Sequence, residues 1–295
     1  MNQEFEIVGI RDVQPEKGIE GKKNWFKGKP IVSVILLFLI IVGCVGCHWI
    51  MTKDPSYMDL KNCSMAPNQE FLFGTDTMGR DIFSMIWSGG RISLFISLVA
   101  TVISTLIAIV FGSASGSSPG WVDSLLMRFT EIILSVPNLL LVIFIQAILG
   151  KANVMSIAFV IGITSWVSIA KIVRTEVRQI RNSDYVVASK AMGGGFFHIL
   201  WKHLTPNFIS SIMFMIVMNI RSAIVAESTL SFMGIGLPLE KISWGSMLSL
   251  SDKALMTKAW WIILIPGLFL VITLMCITNI GNCFRKNVNQ KSSNL

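Results

Sequence analysis

Six apolar runs, each about as long as a membrane-spanning helix, recur along the 295-residue chain. Their approximate limits are 31–50, 92–112, 132–150, 154–170, 208–232 and 260–281. A helix of ~20 apolar residues crosses the hydrocarbon core of a bilayer, where every backbone polar group must be paired inside the protein. The sequence therefore predicts an all-α integral membrane protein with six transmembrane helices.

The composition supports a membrane protein and argues against a nucleic-acid partner. Hydrophobic residues make up 53% of the chain and charged residues only 14%, and the mean hydropathy is +0.65. A soluble domain carries ~25% charged residues. The formal net charge of +8 comes from Lys and Arg that flank the apolar runs, which is typical of cytoplasmic loops. We expect membrane lipid, and no nucleic acid, around this chain.

The distribution of Lys and Arg predicts the orientation of the six spans. Two clusters hold six basic residues each: Arg11, Lys17, Lys22, Lys23, Lys27 and Lys29 before the first span, and Lys171, Arg174, Arg178, Arg181, Lys190 and Lys202 between spans four and five. Loops rich in Lys and Arg usually lie on the cytoplasmic side of the membrane. With six spans, both clusters lie on that side if the N- and C-termini are cytoplasmic. The predicted segments are a cytoplasmic tail (1–30), the first span (31–50), an external segment (51–91), the remaining five spans (92–283) with a cytoplasmic segment at about 171–207, and a second tail (284–295).

The stretch "DYVVASKAMGGGFFHILWKHLTPN", residues 184–207, is polar and rich in glycine although it lies between two spans. Asn182, Ser183 or Asp184 is suited to cap a helix that three glycines from Gly193 would end. Thr205 and Pro206 then fit the N-cap and first turn of span five. The stretch predicts a short cytosolic helix clamped between two membrane helices, whose small residues would let another protein approach. An ordinary connecting loop is the alternative.

Several motifs in register resemble the dipeptide, oligopeptide and nickel permease family of ABC importers, specifically the second permease of the pair. The cytoplasmic loop signature is matched by Val187, Ala188 and Ser189, then Gly193 and Pro206. Other matching stretches are "FGTDTMGRDIFSMIWSGGRISL", "GWVDSLLMR", "SVPNLLL", "AESTLSFMGIGL" and "SWG". They occupy roughly residues 70–250 in the expected order.

The resemblance implies the type I ABC-importer permease fold and a location in the bacterial plasma membrane. The chain would form half of a translocation pathway for peptides, delivered by an external substrate-binding lipoprotein. Its partners would be a second homologous permease subunit and two cytosolic ATPase subunits. Nickel or a metal chelate is the alternative cargo. The implied ATPase-coupling residues are Tyr185, Val187, Ala188, Ser189, Ala191, Gly193 and Pro206. Because Val187 replaces the family's glutamate, we expect a contact based on shape and apolar fit.

The chain itself carries no recognisable catalytic, cofactor or metal motif. It has no G-x-x-x-x-G-K-[ST] phosphate loop, so we expect ATP and magnesium only on the partner ATPase subunits. His198 and His203 are five residues apart, which is not a helical metal-ligand spacing. "CVGCH", residues 44–48, matches a haem-attachment pattern, but a packed helix end is the favoured interpretation.

Five charged residues are candidates for the pathway or a gate. Arg221 and Glu227 lie in span five. A charge inside a membrane span is energetically costly, so each of these residues is a candidate for a functional role. Six positions separate them by ~120° around a helix, so we expect no direct pair. For Glu227 a position at the membrane interface is favoured. Arg80, Asp81 and Arg91 belong to the predicted external segment. The resemblance suggests that this segment forms an outer vestibule. The alternative is a lid that only covers the ends of the spans.

A gradient-driven secondary transporter is the rival from another functional class. Such proteins often show inverted repeats and carboxylates in the middle of the membrane. The first three spans are not repeated in the last three, and Glu227 is the one acidic residue in a clearly defined span. The sequence therefore favours the ABC-importer subunit.

Overall fold

The computed structural model describes residues 30–238 and 240–292, and within them the chain is helical. The predicted N-terminal tail lies outside the described residues except for Pro30. The helices are α1 (Ile31–Val45), α2 (Cys47–Ile50), α3 (Ile82–Ser117), α4 (Gly120–Ser135), α5 (Asn138–Leu149), α6 (Val154–Thr164), α7 (Val167–Ile180), α8 (Asp184–Ala191), α9 (Phe196–Ile199), α10 (Thr205–Phe232), α11 (Trp244–Leu248), α12 (Ser251–Met256) and α13 (Trp261–Ser292). Extended pairing in these ranges is limited to an isolated bridge between Thr75 and Asp81.

Three helical stretches among the described residues are long and apolar enough to cross a membrane: Ile82–Ser117, Phe196–Phe232 and Trp261–Lys286. The pair α4 and α5 and the pair α6 and α7 raise the number to five if each bent pair is one span. Helix α1 has 15 residues, which is shorter than a full crossing. An all-helical protein with several apolar helices is therefore confirmed.

Spans three and four are bent, whereas each was predicted as one continuous helix. The axes of α4 and α5 differ by 88°, and those of α6 and α7 by 44°. At the first bend Pro137 has no N–H to donate, and Val136 before it takes an extended conformation. At the second, the Thr164 hydroxyl donates to the carbonyls of Val160 and Ile161, a bond that bends helices.

Helix α3 begins at Ile82, ten residues before the predicted start of span two. The Asp81 carboxylate caps it by accepting a hydrogen bond from the Ser84 N–H at 3.0 Å. Met85 and Ile86 are fully buried in a cluster with residues of α11 and α13. These apolar side chains therefore form protein core and do not lie flat on the membrane surface.

Helix α3 packs most extensively against α7, and small residues allow the close approach. A Cβ atom added at Gly112 would lie 2.5 Å from the Ala170 carbonyl oxygen, and one at Gly116 would lie 2.9 Å from the Arg174 carbonyl oxygen. The main buried cluster joins this contact to α8, α9 and α10. Helices α8 and α9 are thus built onto the same core as the long helices.

Span five does not start at Thr205, so the predicted N-cap is wrong. Its helix runs without interruption from Phe196 to Phe232, and Thr205 has helical angles of φ −57° and ψ −47°. Pro206 lacks the N–H that an α-helix needs, and a π-helical turn, Leu200–Leu204, comes directly before it. The wider turn accommodates the proline, so the helix continues through it.

Candidate functional site

Helix α8 is a short, well-terminated helix between two long ones. It follows Ser183 and ends in a glycine-based cap, as predicted. Gly193 has φ +82°, its N–H donates to the Lys190 carbonyl at 3.0 Å, and the Gly194 N–H donates to the Ser189 carbonyl at 2.9 Å. This pair of bonds closes the C-terminus of a helix and turns the chain sharply. The cap gives α8 a defined end, so the chain can return towards α9.

One face of α8 is anchored in the protein core. Val186 is 1% exposed and packs in the same cluster as Val173 and Val177 of α7 and Ile199 and Leu200 of the following segment. A movement of α8 must therefore displace side chains of both neighbouring helices, because close-packed interiors transmit strain.

The remaining surface of α8, the turn after it and the start of α9 expose apolar side chains. Tyr185 is 43% exposed, Val187 52%, Met192 83% and Phe197 63%. Ala188, Ala191, Gly193 and Pro206 are exposed as well. Of the predicted coupling residues, Ser189 alone among these described positions faces inward, at 5% exposure. An exposed apolar patch of this kind typically marks a protein–protein contact.

Asp123, at the start of α4, joins three elements near α8. Its carboxylate accepts bonds from Arg174 Nε at 2.5 Å, from Arg178 Nη1 at 3.2 Å and from the Ser115 hydroxyl at 2.6 Å. Arg181 donates to the carbonyl of Gly116 at 3.1 Å. We call Asp123, Arg174 and Arg178 the acidic clamp. The clamp connects two parts of the structure. One is the end of α7 that leads into α8, and the other is the turn between α3 and α4.

The acidic clamp was not predicted. Asp123 and Arg174 are 51 positions apart, so no local spacing links them. The available signal was the "GWVDSLLMR" stretch itself, which places a lone carboxylate at the first turn of an apolar helix.

A groove of about 250 Å³ lies where both helix bends meet α10. Its surface is mostly apolar, and we call it the polar groove for the six polar residues in its lining. Its polar residues are Asn138 after the first bend, Thr164, Ser165 and Ser168 at the second bend, and Asn219 and Ser222 of α10. Irregular backbone at membrane depth is stable only where it is buried in protein or lines a water-filled cavity. The groove is therefore a candidate path for polar cargo.

Glu227 is fully buried between helices, and its position at the membrane interface stays a prediction. Its carboxylate oxygens accept hydrogen bonds from Ser93 of α3 and Ser231 of α10, both at 2.9 Å. The Trp244 N–H donates to the same Ser93 hydroxyl at 3.3 Å. Glu227 thus links α3, α10 and the start of α11.

Apart from the consecutive residues Arg80 and Asp81, the other charged candidates lie at separate places in the structure. Arg80 is 4% exposed and pairs with Asp76 at 2.7 Å inside the external segment, while Asp81 caps α3. Arg91 is exposed at the edge of an apolar groove. Arg221 does not pair with Glu227; its nearest polar contact is the Thr278 hydroxyl at 3.5 Å. The structure therefore does not gather these residues into one site.

The structure also bears on metal chemistry. No group of three or more His, Cys, Asp or Glu side chains within residues 30–238 and 240–292 is arranged to hold a metal ion. Cys44 and Cys47 of the haem-like pattern are buried in the helix packing on either side of Gly46.

Residues 108–294 match the family described as the binding-protein-dependent transport system inner membrane component. The match covers more than half of the chain and includes the bent helices, α8 and α10. The chain belongs to this family. The permease is accordingly a multi-pass protein of the bacterial plasma membrane and a subunit of an ABC transporter.

Curated relatives cover most of the permease. It is 36% identical over 261 residues to the oligopeptide transport system permease protein of Bacillus subtilis, covering 88% of this chain and 85% of the relative. It is 34% identical over 257 residues to the dipeptide transport system permease protein of the same organism (87% and 80%). The oligopeptide permease of Haemophilus influenzae is 33% identical over 300 residues (98% and 96%).

Proposed function

We propose that the permease is one of two membrane subunits of an ATP-driven peptide importer. The relatives described above are named for oligopeptide and dipeptide transport, and they are similar to this chain over nearly its whole length. Peptide is therefore the cargo we infer, in preference to nickel or a metal chelate. The membrane component of a binding-protein-dependent system works with a binding protein, here inferred to be an external lipoprotein.

The observation that carries the proposal is the exposed apolar patch on α8, beside a core shared by α3, α7 and α10. We infer that this patch docks into a cytosolic ATPase subunit. The contact would be formed by Tyr185, Val187, Ala188, Ala191 and Gly193, with Met192 and Phe197 at its edge. Because Val187 is apolar and half-exposed, we infer that burial of its surface contributes to the contact in place of the glutamate that the loop signature expects.

The proposed topology has six spans, with both termini in the cytoplasm. Helices α1 and α2 together cover residues 31–50 and would form the first span, and each bent pair would form one more. This places α8 and the acidic clamp inside the cell and residues 51–81 outside it. The positive-inside rule supports this orientation, because Arg174, Arg178 and Arg181 then lie in the cytoplasm.

The polar groove would be this subunit's share of the translocation path. Peptide backbones carry many donors and acceptors, and exposed side chains such as Asn138 and Ser222 can exchange hydrogen bonds with them. A second homologous permease would close the groove from the other side. The path would then lie between two subunits, which is why a single chain shows only part of it.

The proposed mechanism converts closure of the ATPase subunits into movement of α8. ATP and magnesium would be bound by those subunits, since the permease sequence has no phosphate loop. Val186 and the acidic clamp would pass the movement to α7, and the continuous helix from Phe196 would pass it to α10. ATP binding and the loaded binding protein would then bias one equilibrium between inward-facing and outward-facing states.

Isolation of the tagged permease from its native membranes, in mild detergent, tests the proposal. We expect a second permease, ATPase subunits and ATP hydrolysis in the eluate, and loss of peptide uptake with unchanged nickel uptake when the permease is deleted. Isolation without any ATPase, under conditions that preserve other such complexes, would contradict the importer and support a gradient-driven transporter. Loss of nickel uptake alone would contradict the peptide assignment.

A further inference from the structure

A second groove, of about 440 Å³, is almost entirely apolar and lies between α1 and the rest of the bundle. Its lining includes Leu37 and Ile41 of α1, Leu94 and Leu98 of α3, Ile220 of α10 and Ile277 of α13. The volume falls within the ~300–1,000 Å³ that is usual for ligand sites. This acyl groove, as we call it, is separate from the polar groove, and the two share no lining residue.

The acyl groove lies where α1 is attached to the bundle at its two ends. Near its start, the Ser33 hydroxyl accepts a bond from Asn279 Nδ2 of α13 at 3.0 Å. Near its end, Gly43 packs directly on the Trp87 ring, and Cys44 packs against Gly90. Leu37 and Ile41 fall between these attachments, so an unfilled gap there would leave apolar walls without contacts.

One charged residue, Arg91, lines the acyl groove. It is exposed and follows Gly90, so it lies beside the outer attachment of α1. In the described part of the chain no carboxylate forms an ion pair with it. It also directly precedes the apolar run 92–112, which places it at the outer membrane boundary in the proposed topology. A cation at that depth, above an apolar groove, is complementary to an anionic lipid head group.

We propose that the acyl groove binds one chain of an anionic phospholipid whose phosphate pairs with Arg91. Guanidinium groups bind phosphate through two parallel hydrogen bonds, and a basic residue near the membrane surface favours anionic lipid by ~1 kcal/mol. The acyl chain supplies the contacts that Leu37, Ile41 and Leu98 lack. The lipid would therefore hold α1 against α3 and α13.

Native mass spectrometry of the complete importer in neutral detergent tests the site. The probes are phosphatidylglycerol, phosphatidylcholine with the same chains, and inorganic phosphate. We expect the wild-type complex to retain phosphatidylglycerol better than phosphatidylcholine, and Arg91→Gln to bind phosphatidylglycerol about fivefold more weakly, the factor that corresponds to ~1 kcal/mol. Arg91→Lys should keep most of the preference. Lys61→Gln, which removes an exposed external charge away from the groove, should behave as wild type.

A groove-filling variant separates the lipid chain from the head group. Ile41→Trp leaves Arg91 intact and should also reduce phosphatidylglycerol retention, whereas millimolar phosphate should not displace the lipid from the wild-type complex. Equal retention by wild type and Arg91→Gln, or equal binding of the two lipids to wild type, would overturn the proposal. Displacement by phosphate alone, or full retention by Ile41→Trp, would show a free-anion site without a bound acyl chain and would overturn it too.

Discussion

Gly193 is the residue of the α8 turn whose backbone excludes most other amino acids. Its φ of +82° lies in the left-handed region, and an added Cβ atom would meet no other atom within 4 Å. Alanine at this position therefore costs ~1–2 kcal/mol in backbone conformation without any clash. We expect Gly193→Ala to reduce ATP-coupled peptide uptake severalfold while the complex still assembles.

Gly195 provides the matched control for Gly193. It too has open space around it, but its φ is −70°. Uptake and ATP hydrolysis by Gly195→Ala should equal those of the wild type. Equal uptake by the two variants would show that the left-handed turn is not needed for coupling.

The acidic clamp leads to a second prediction at this scale. Asp123→Asn removes the charge that pairs with Arg174 and Arg178, and the Asp123 side chain is only 7% exposed. Hydrogen bonds to charged groups contribute ~1.5–3 kcal/mol each when buried, and the half-exposed Arg178 contributes less. We expect a lower unfolding temperature in detergent and ATP hydrolysis that no longer responds to the loaded binding protein.

Glu131→Gln is the control for the clamp variant. It removes the Arg128–Glu131 pair, whose side chains are 79% and 53% exposed, and such pairs contribute little. An equal loss of thermal stability in both variants would mean that the clamp acts only as one more surface ion pair.

Single residues were predictable from sequence where a local pattern carried the information. The glycine turn follows from cap chemistry, and the small residues of the segment indicated a surface that another protein could approach. The burial of Glu227 does not, because its hydrogen-bond partner Ser93 lies 134 positions away in sequence and only the fold brings the two together. The sequence of a span does not show whether its carboxylate is surrounded by serine side chains or by lipid.

Helix packing supplies a prediction at the scale of elements. Gly112 lets α3 approach α7 so closely that an added Cβ atom would overlap the Ala170 carbonyl and the Val173 side chain. Overpacking of this kind costs ~1–3 kcal/mol. We expect Gly112→Ala to lower the unfolding temperature of the purified complex and the yield of assembled importer.

Gly120, the first residue of α4, is the control for Gly112. An added Cβ atom there meets nothing within 4 Å, so Gly120→Ala should leave the unfolding temperature unchanged. A similar loss in both variants would show that the close contact between α3 and α7 is not its cause.

The elements themselves were largely predictable, and their bends were not. Apolar runs indicate spans because hydropathy depends on composition alone. Pro137 marks a possible break within the run 132–150, but hydropathy does not indicate the 88° size of the change in direction. Likewise, Thr205 and Pro206 fit both a new helix start and a turn within a longer helix. The preceding π-helical turn, which depends on packing of Leu200 and Leu204, decides between them.

The proposed topology makes a prediction for the whole molecule. Cys63 is the exposed free cysteine of the external segment, while Cys44, Cys47 and Cys276 are buried. We expect a membrane-impermeant maleimide to label the permease in intact cells, and Cys63→Ser to abolish that labelling.

A cysteine on the opposite side completes the topology test. Arg128 of α4 is exposed and would be cytosolic. Arg128→Cys, introduced into the Cys63→Ser chain, should be labelled above the Cys63→Ser background only after the membrane is made permeable. Labelling of that variant in intact cells would invert the proposed orientation.

The unbroken helix from Phe196 to Phe232 crosses the inner membrane surface near Phe208 in the proposed topology. At ~1.5 Å per residue, its cytosolic arm is about 18 Å long and its membrane arm about 37 Å. A rigid rod that pivots at the membrane surface therefore moves its outer tip about twice as far as its inner tip, and in the opposite direction. A modest movement beside α8 would be enlarged about 1.6-fold at Glu227, where the helix meets Ser93 of α3. The outer mouth, farthest from the ATPase, is where the largest displacement of the transport cycle is expected.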